Sequence, residues 1–240
     1  MSLEQSSSAL EGESGLQLQP DRNTANRFVV FLDILGFKDR VARTNHNKLL
    51  TQLSDFNKGI VGCIGKYNNT DIQLAQFSDS IVLFSNDITA KSLKAISEVT
   101  RGIMQIAINQ QIPIKGAIAQ GQITCDTSKQ LFFGQALIDA YLLEENIYYY
   151  GILAHHSIES TITKSGSLIF KDIQAPLKSG NIWHYELSWY ADNLSDKAQL
   201  ETINDALRDI RQTVSDAPRR YIDNTLDVIA KYYNTNQDEK

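Results

Sequence analysis

A chain of 240 residues with 42% apolar side chains can bury a full core, and no run approaches the roughly 20 apolar residues that a membrane-spanning helix needs. The net charge of −5 argues against general binding to nucleic-acid backbones, so a polyanionic ligand would need local cations or metal. The two cysteines, Cys63 and Cys125, have no partners at metal-ligand spacing and read as buried thiols on a helix and a strand.

Residues 1–26 are rich in Ser, Gln, Glu and Asn and read as a flexible tail. They lack a basic segment followed by an apolar stretch, so a cytoplasmic location is expected. The run Arg27-Phe28-Val29-Val30-Phe31-Leu32 has the β-branched and aromatic content of a buried strand and ends on Asp33. Beyond Gly36, the spacing of Leu49, Leu53, Phe56, Ile60 and Ile64 predicts one face of a helix. Strands are expected at Ile72–Phe77 and Ile81–Phe84, with Ser78-Asp79-Ser80 as the hairpin turn between them. A second amphipathic helix carries Leu93, Ile96, Val99, Ile103 and Ile106, and Pro113 precedes a strand at Ile114–Ile118. A helix over Gln135–Asn146 and a strand at Ile152–Ala154 follow.

Further strands are expected at Ser167–Phe170 and Asn181–Trp189, then two helices. The first carries Leu200, Ile203, Leu207, Ile210 and Val214; the second opens near Pro218 and carries Ile222, Leu226 and Ile229. The order predicts an α+β fold with a ferredoxin-like βαββαβ core, an additional helix and strands, and C-terminal helices. The expected units are a tail over 1–26, a catalytic domain over 27–190 and a helical extension over 191–240.

A carboxylate at the end of a buried strand is costly without a cation or donor, and Asp33 occupies that place. In a ferredoxin-like core the first and third strands are central neighbours, which brings the hairpin residue Asp79 beside Asp33. Two acids there could hold Mg²⁺ or Mn²⁺ through oxygen ligands, and the metals a triphosphate. Ile34, Leu35, Gly36 and Phe37 open the next helix, where backbone N–H groups suit a phosphate. Taken singly, Asp33 could instead cap that helix and Asp79 could be an ordinary turn residue.

The segments FLDILGF (31–37), FSDSIVLF (77–84), KGAIAQG (115–121) and FGQALIDAYLLEE (133–145) resemble successive motifs of class III adenylate and guanylate cyclases. Together with KYYN (231–234), they look most like the pyrimidine cyclases of Pycsar anti-phage systems. The resemblance implies two divalent cations, Mn²⁺ or Mg²⁺, held by Asp33, Asp79 and the backbone of Ile34. It also implies phosphates seated on Ile34 to Phe37 and an active site completed across a homodimer. The substrate would be UTP or CTP, with UTP favoured, and the cyclic product would act on a separate effector. No nucleic-acid or membrane partner is expected.

Departures from the purine cyclases bear on specificity and mechanism. Their two base-reading residues fall at Ala75 and Leu131, which cannot hydrogen-bond a purine edge. Their helix Asn and Arg fall at Ile138 and Leu142, so phosphate charge must be met elsewhere, with Lys115, Lys38 and Arg40 as the available cations. Tyr141 could offer its hydroxyl to base or ribose, or simply pack. His155-His156 reads as adjacent strand residues on opposite faces, hence not a bidentate metal pair. Tyr148-Tyr149-Tyr150 could line an interface or shield the following strand. Two other readings stay open: an adenylate cyclase with unusual base recognition, and a cyclase-like module that has lost catalysis.

Overall fold

In the computed structural model, strand β1 (Thr24–Ile34) alternates sharply between its two faces. Phe28, Val30, Leu32 and Ile34 enter the main core, whereas Val29 and Phe31 pack on the other side of the sheet. Asp33 continues that second row by the two-residue period of a strand. The structure describes residues 23–67, 72–166, 169–190 and 197–233. β1 starts at Thr24 rather than Arg27, because its polar first residues pair with Gln122 to Thr124. The rest of the expected tail, 1–22, lies outside the described residues.

Helix α1 (Phe37–Arg43) follows directly, with Gly36 at its N-cap in the left-handed region, φ 69°. Helix α2 (His46–Gly65) starts where the Asn45 side chain accepts from the N–H groups of Asn47 and Lys48, and it buries Leu49, Phe56, Ile60 and Ile64. β2 (Ile72–Phe77) and β3 (Ser80–Ser85) form the expected hairpin around Ser78 and Asp79. Helix α3 (Ala90–Asn109), capped by Thr89, buries Leu93, Ile96, Val99 and Ile103 over the same side of the sheet as α2.

β4 (Ile114–Asp126) runs eight residues past the expected Ile118, and β5 (Leu131–Gly134), a strand not foreseen, folds back against its end. Helix α4 (Gln135–Asn146) and β6 (Ile152–Ala154) fall where periodicity places them. Helix α5 (His156–Ser165) was not expected, and it changes the account of the histidine pair. Strand β6 ends at Ala154, His155 caps α5 by accepting from the Ser157 N–H, and His156 is the first helical residue. The two rings lie 4.0 Å apart rather than on opposite faces of a strand.

β7 (Phe170–Leu177) and β8 (Gly180–Leu187) form a second hairpin, later and earlier respectively than the expected segments. Ser167 lies outside the described residues. α6 (Lys197–Thr213) and α7 (Asp216–Tyr232) close the fold, with Leu200, Ile203, Leu207, Ile222 and Ile229 in the same core cluster as β1 and α3. Extension and core therefore share one interior. Tyr149 and Tyr150 are buried in it, and Tyr148 meets the Tyr221 ring edge-on at 4.6 Å, so the tyrosine run packs beneath α7.

The sheet has the order β2-β3-β1-β4-β6-β8-β7, with β5 paired to β4. β1 is therefore central, antiparallel to β3 and β4 on either side. Helices α2 and α3 cover one face. On the other, α4 presses Ala136 and Ala140 onto β1 and β4, leaving the β2 and β3 half of that face open. Both cysteines are buried free thiols, as expected.

Candidate active site

The open face is built from rows of residues directly opposite one another across four strands. One row reads Ala75, Val82, Phe31, Ala117, and the next toward the strand ends reads Phe77, Ser80, Asp33, Lys115. Above them lies a cavity of about 530 Å³ lined by Phe31, Ala75, Gln76, Phe77, Ser80, Val82, Phe84, Gln130, Phe132, Leu137, Ile138 and Tyr141. Phe84 and Phe132 stack with centroids 5.4 Å apart, and Tyr141 meets Phe31 edge-on at 5.4 Å. Asp33 stands next to the cavity wall, two residues from Phe31 and opposite Ser80.

Asp79 reaches this end of the cavity through the β2–β3 turn. Ser78 takes a positive φ of 56° there, and the Asp79 carbonyl accepts from the Ile34 N–H at 3.0 Å. The two acid-bearing segments are thus tied by main chain. Burial raises the pKa of Asp33 above the ordinary aspartate range, the Asp79 charge raises it further, and Lys115 opposes both. Asp33 does not cap α1, whose N-cap Gly36 has no side-chain partner. Among the described residues it has no ion-pair partner and accepts no side-chain hydrogen bond.

An unpaired, half-buried carboxylate beside a second one fits a divalent cation, which would satisfy both. Among the described residues no cluster of three or more His, Cys, Asp or Glu side chains could hold a metal by itself. The oxygen-only pair instead suits an ion that keeps waters and shares substrate phosphates.

The expected phosphate cradle is partly occupied by the fold. The Ile34 N–H goes to Asp79 and the Leu35 N–H to the Pro113 carbonyl at 2.9 Å. The N–H groups of Gly36 and Phe37 have no acceptor among the described residues, and the space beside the Gly36 Cα is open.

Lys115 shares the Asp33 side of the sheet but is 3% exposed. Its ammonium donates to the Glu144 carbonyl at 2.6 Å and forms an ion pair with Glu144 Oε1 at 2.8 Å. Burial pushes the Lys115 ammonium down and the Glu144 carboxyl up, each opposed by the other's charge. Arg40 donates to the Gln111 carbonyl at 2.7 Å. Lys38 is exposed.

Ala75 lines the cavity; Leu131 stands on β5 between the lining residues Gln130 and Phe132. Ile138 and Leu142 are half exposed on α4. The lining residue Gln130 was not singled out from sequence, nor was Glu144; the Gln76 side chain turns to the other face of the sheet, where its oxygen accepts from Asn57 of α2 at 2.8 Å.

No protein-family model matches the chain, and no curated protein sequence matches it. Solved structures do. The catalytic core of a rhodopsin-guanylyl cyclase with converted specificity, bound to ATPαS, superposes with a TM-score of 0.55 at 14% identity, over 68% of this chain and 95% of that one. The adenylyl cyclase CyaB from P. aeruginosa gives 0.53 at 21% identity, over 72% and 97%. The fold is that of the class III nucleotidyl cyclases. A non-canonical dimeric guanylyl cyclase domain of the RhoGC fusion protein from the aquatic fungus Blastocladiella emersonii shares this cyclase fold with a TM-score of 0.54 at 13% identity, over 68% and 96%. In all three, nearly the whole neighbouring chain is covered.

Proposed function

We propose that this chain is a nucleotidyl cyclase that converts a nucleoside triphosphate to its 3′,5′-cyclic nucleotide and pyrophosphate. The observation that carries the reading is the unpaired Asp33 carboxylate, tied by main chain to Asp79 at the mouth of the cavity. Asp33, Asp79 and the Ile34 carbonyl would hold two divalent cations, Mg²⁺ or Mn²⁺. When bound, those ions would neutralise triphosphate charge and favour ionisation of the ribose 3′-hydroxyl. Gly36 and Phe37 offer their N–H groups to the phosphates, and Tyr141 borders the space for base and ribose.

A pyrimidine triphosphate, UTP ahead of CTP, is the preferred substrate. Supporting this, Ala75 replaces a hydrogen-bonding side chain in the cavity wall, and the lining around it is aromatic and aliphatic. The resemblance to Pycsar cyclases makes the product a second messenger in anti-phage defence, acting on a separate effector. One observation favours a second reading, adenylate cyclase: the Gln130 amide, whose nitrogen donates to the Thr127 carbonyl, keeps its oxygen for the amino group of a purine edge.

A homodimer with sites at its interface completes the proposal. Phe77 is 85% exposed, and Ile138, Tyr141 and Leu142 form an exposed apolar stripe beside it, a surface that a second copy would cover. The test is incubation of the purified protein with ATP, GTP, CTP and UTP plus Mn²⁺, with products identified by mass. A cyclic pyrimidine nucleotide supports the reading, cyclic AMP alone supports the second, and no product from a folded dimer ends both.

A further inference from the structure

Lys115 stands directly opposite Asp33 in the β1–β4 pairing. Side chains so paired start roughly 5 Å apart at Cβ, well within reach of a four-carbon stem carrying an ammonium. An ion pair between them is the ordinary outcome for a lysine and an aspartate buried side by side. It does not form. The Lys115 ammonium turns to the end of α4, where it meets both the carbonyl and the carboxylate of Glu144. The Lys115 and Glu144 side chains are only 4% and 5% exposed, so the pair is locked behind the site rather than exchanging with water.

The arrangement has two acids for one cation, and the geometry has chosen between them. Glu144 combines its carboxylate with a carbonyl at a helix C-terminus, both attractive to a cation, so it outcompetes a lone aspartate. Asp33 is left without a cation of the protein's own. Removing the Glu144 charge would leave a buried ammonium uncompensated, and Asp33 is the acid directly across the strand gap.

We propose that Glu144 is a positioning residue: it holds Lys115 away from Asp33 and so keeps that carboxylate open for a divalent cation. This rests on the metal-site reading above.

Mn²⁺ binding to the purified 240-residue chain, followed by electron paramagnetic resonance without nucleotide, tests it. Glu144→Gln is expected to weaken Mn²⁺ binding about tenfold, the scale on which a new opposite charge competes for a carboxylate. Lys115→Met added to Glu144→Gln removes the competitor and returns the affinity to the wild-type level. Lys115→Met alone keeps it at least at that level, which serves if the single glutamine variant does not fold. Circular dichroism and melting curves confirm the fold of each protein used.

Glu144→Gln binding Mn²⁺ like the wild type overturns the proposal and leaves the metal-site reading standing. A double variant as weak as Glu144→Gln also overturns it, since that result means Glu144 acts only through packing. Wild-type protein that takes up no Mn²⁺ overturns both.

Discussion

The Ile34 N–H donates to the Asp79 carbonyl at 3.0 Å, so the segments that carry the two acids are joined by main chain and not by their side chains. Neutralising either carboxylate should therefore leave the local fold in place. Asp33→Asn and Asp79→Asn are expected to lower cyclase turnover on the order of a hundredfold or more, with unchanged circular dichroism. Asp33→Asn should also raise the melting temperature at neutral pH. The folded-state pKa of Asp33 lies above the ordinary 3.8, so its contribution to stability is full below 3.8 and is lost as pH rises through the folded value. The gain in melting temperature should vanish at or below pH 3.8.

The exposed row on α4 offers a second check. Ile138 and Leu142 are four residues apart, hence on one helix face, and are 51% and 50% exposed. Ile138→Asp with Leu142→Asp should convert a dimer to a monomer in light scattering, abolish turnover, and leave the melting temperature within a few degrees.

Gly116 marks a tight place in the centre of the sheet. A Cβ there would meet Leu32 Cδ2 at 2.4 Å and the Phe31 carbonyl at 2.5 Å, and neither β1 nor β4 can move without disturbing the row that bears Asp33. Gly116→Ala is expected to destabilise the protein by about 1–3 kcal/mol in urea unfolding, the usual cost of overpacking.

A different group governs pH dependence away from the site. Glu186 is fully buried, and its carboxylate accepts from Tyr190 at 2.9 Å and from Tyr233, beyond the end of α7, at 2.7 Å; Tyr149 and Lys171 stand nearby. Burial pushes its pKa up to about 7, opposed by the tyrosine hydroxyls and Lys171. Raised above the ordinary 4.5, it contributes stability that is complete below pH 4.5 and lost as pH rises through 7. Urea midpoints should fall across that interval by the equivalent of roughly 3 kcal/mol, and Glu186→Gln should flatten the profile.

Local patterning carried far in this chain where one side of an element is apolar and its ends are marked. Helix α4, strand β6 and the Ser78-Asp79 turn lie where spacing and turn residues put them. β4 was cut short because Gln120-Gly121-Gln122 interrupts its apolar run, yet those residues are held by pairing with β1, which no local pattern reveals. α5 was missed since HHSIESTITKS has few apolar residues, and only its contact with the sheet makes it helical. Asp33 and Asp79 were legible because strand order alone makes them neighbours. Glu144 was not, because a charged residue in the last turn of a helix reads as solvated until the buried ammonium of Lys115 is placed beside it.

The central claim, cyclisation at a site built on Asp33 and Asp79, meets its most direct test in the phosphorus balance of the reaction. Phosphorus NMR of the protein with UTP and Mn²⁺ should show cyclic nucleotide and pyrophosphate growing in equal amounts, with neither in Asp79→Asn. Orthophosphate with nucleoside diphosphate in their place, or equal turnover in Asp79→Asn, would contradict it.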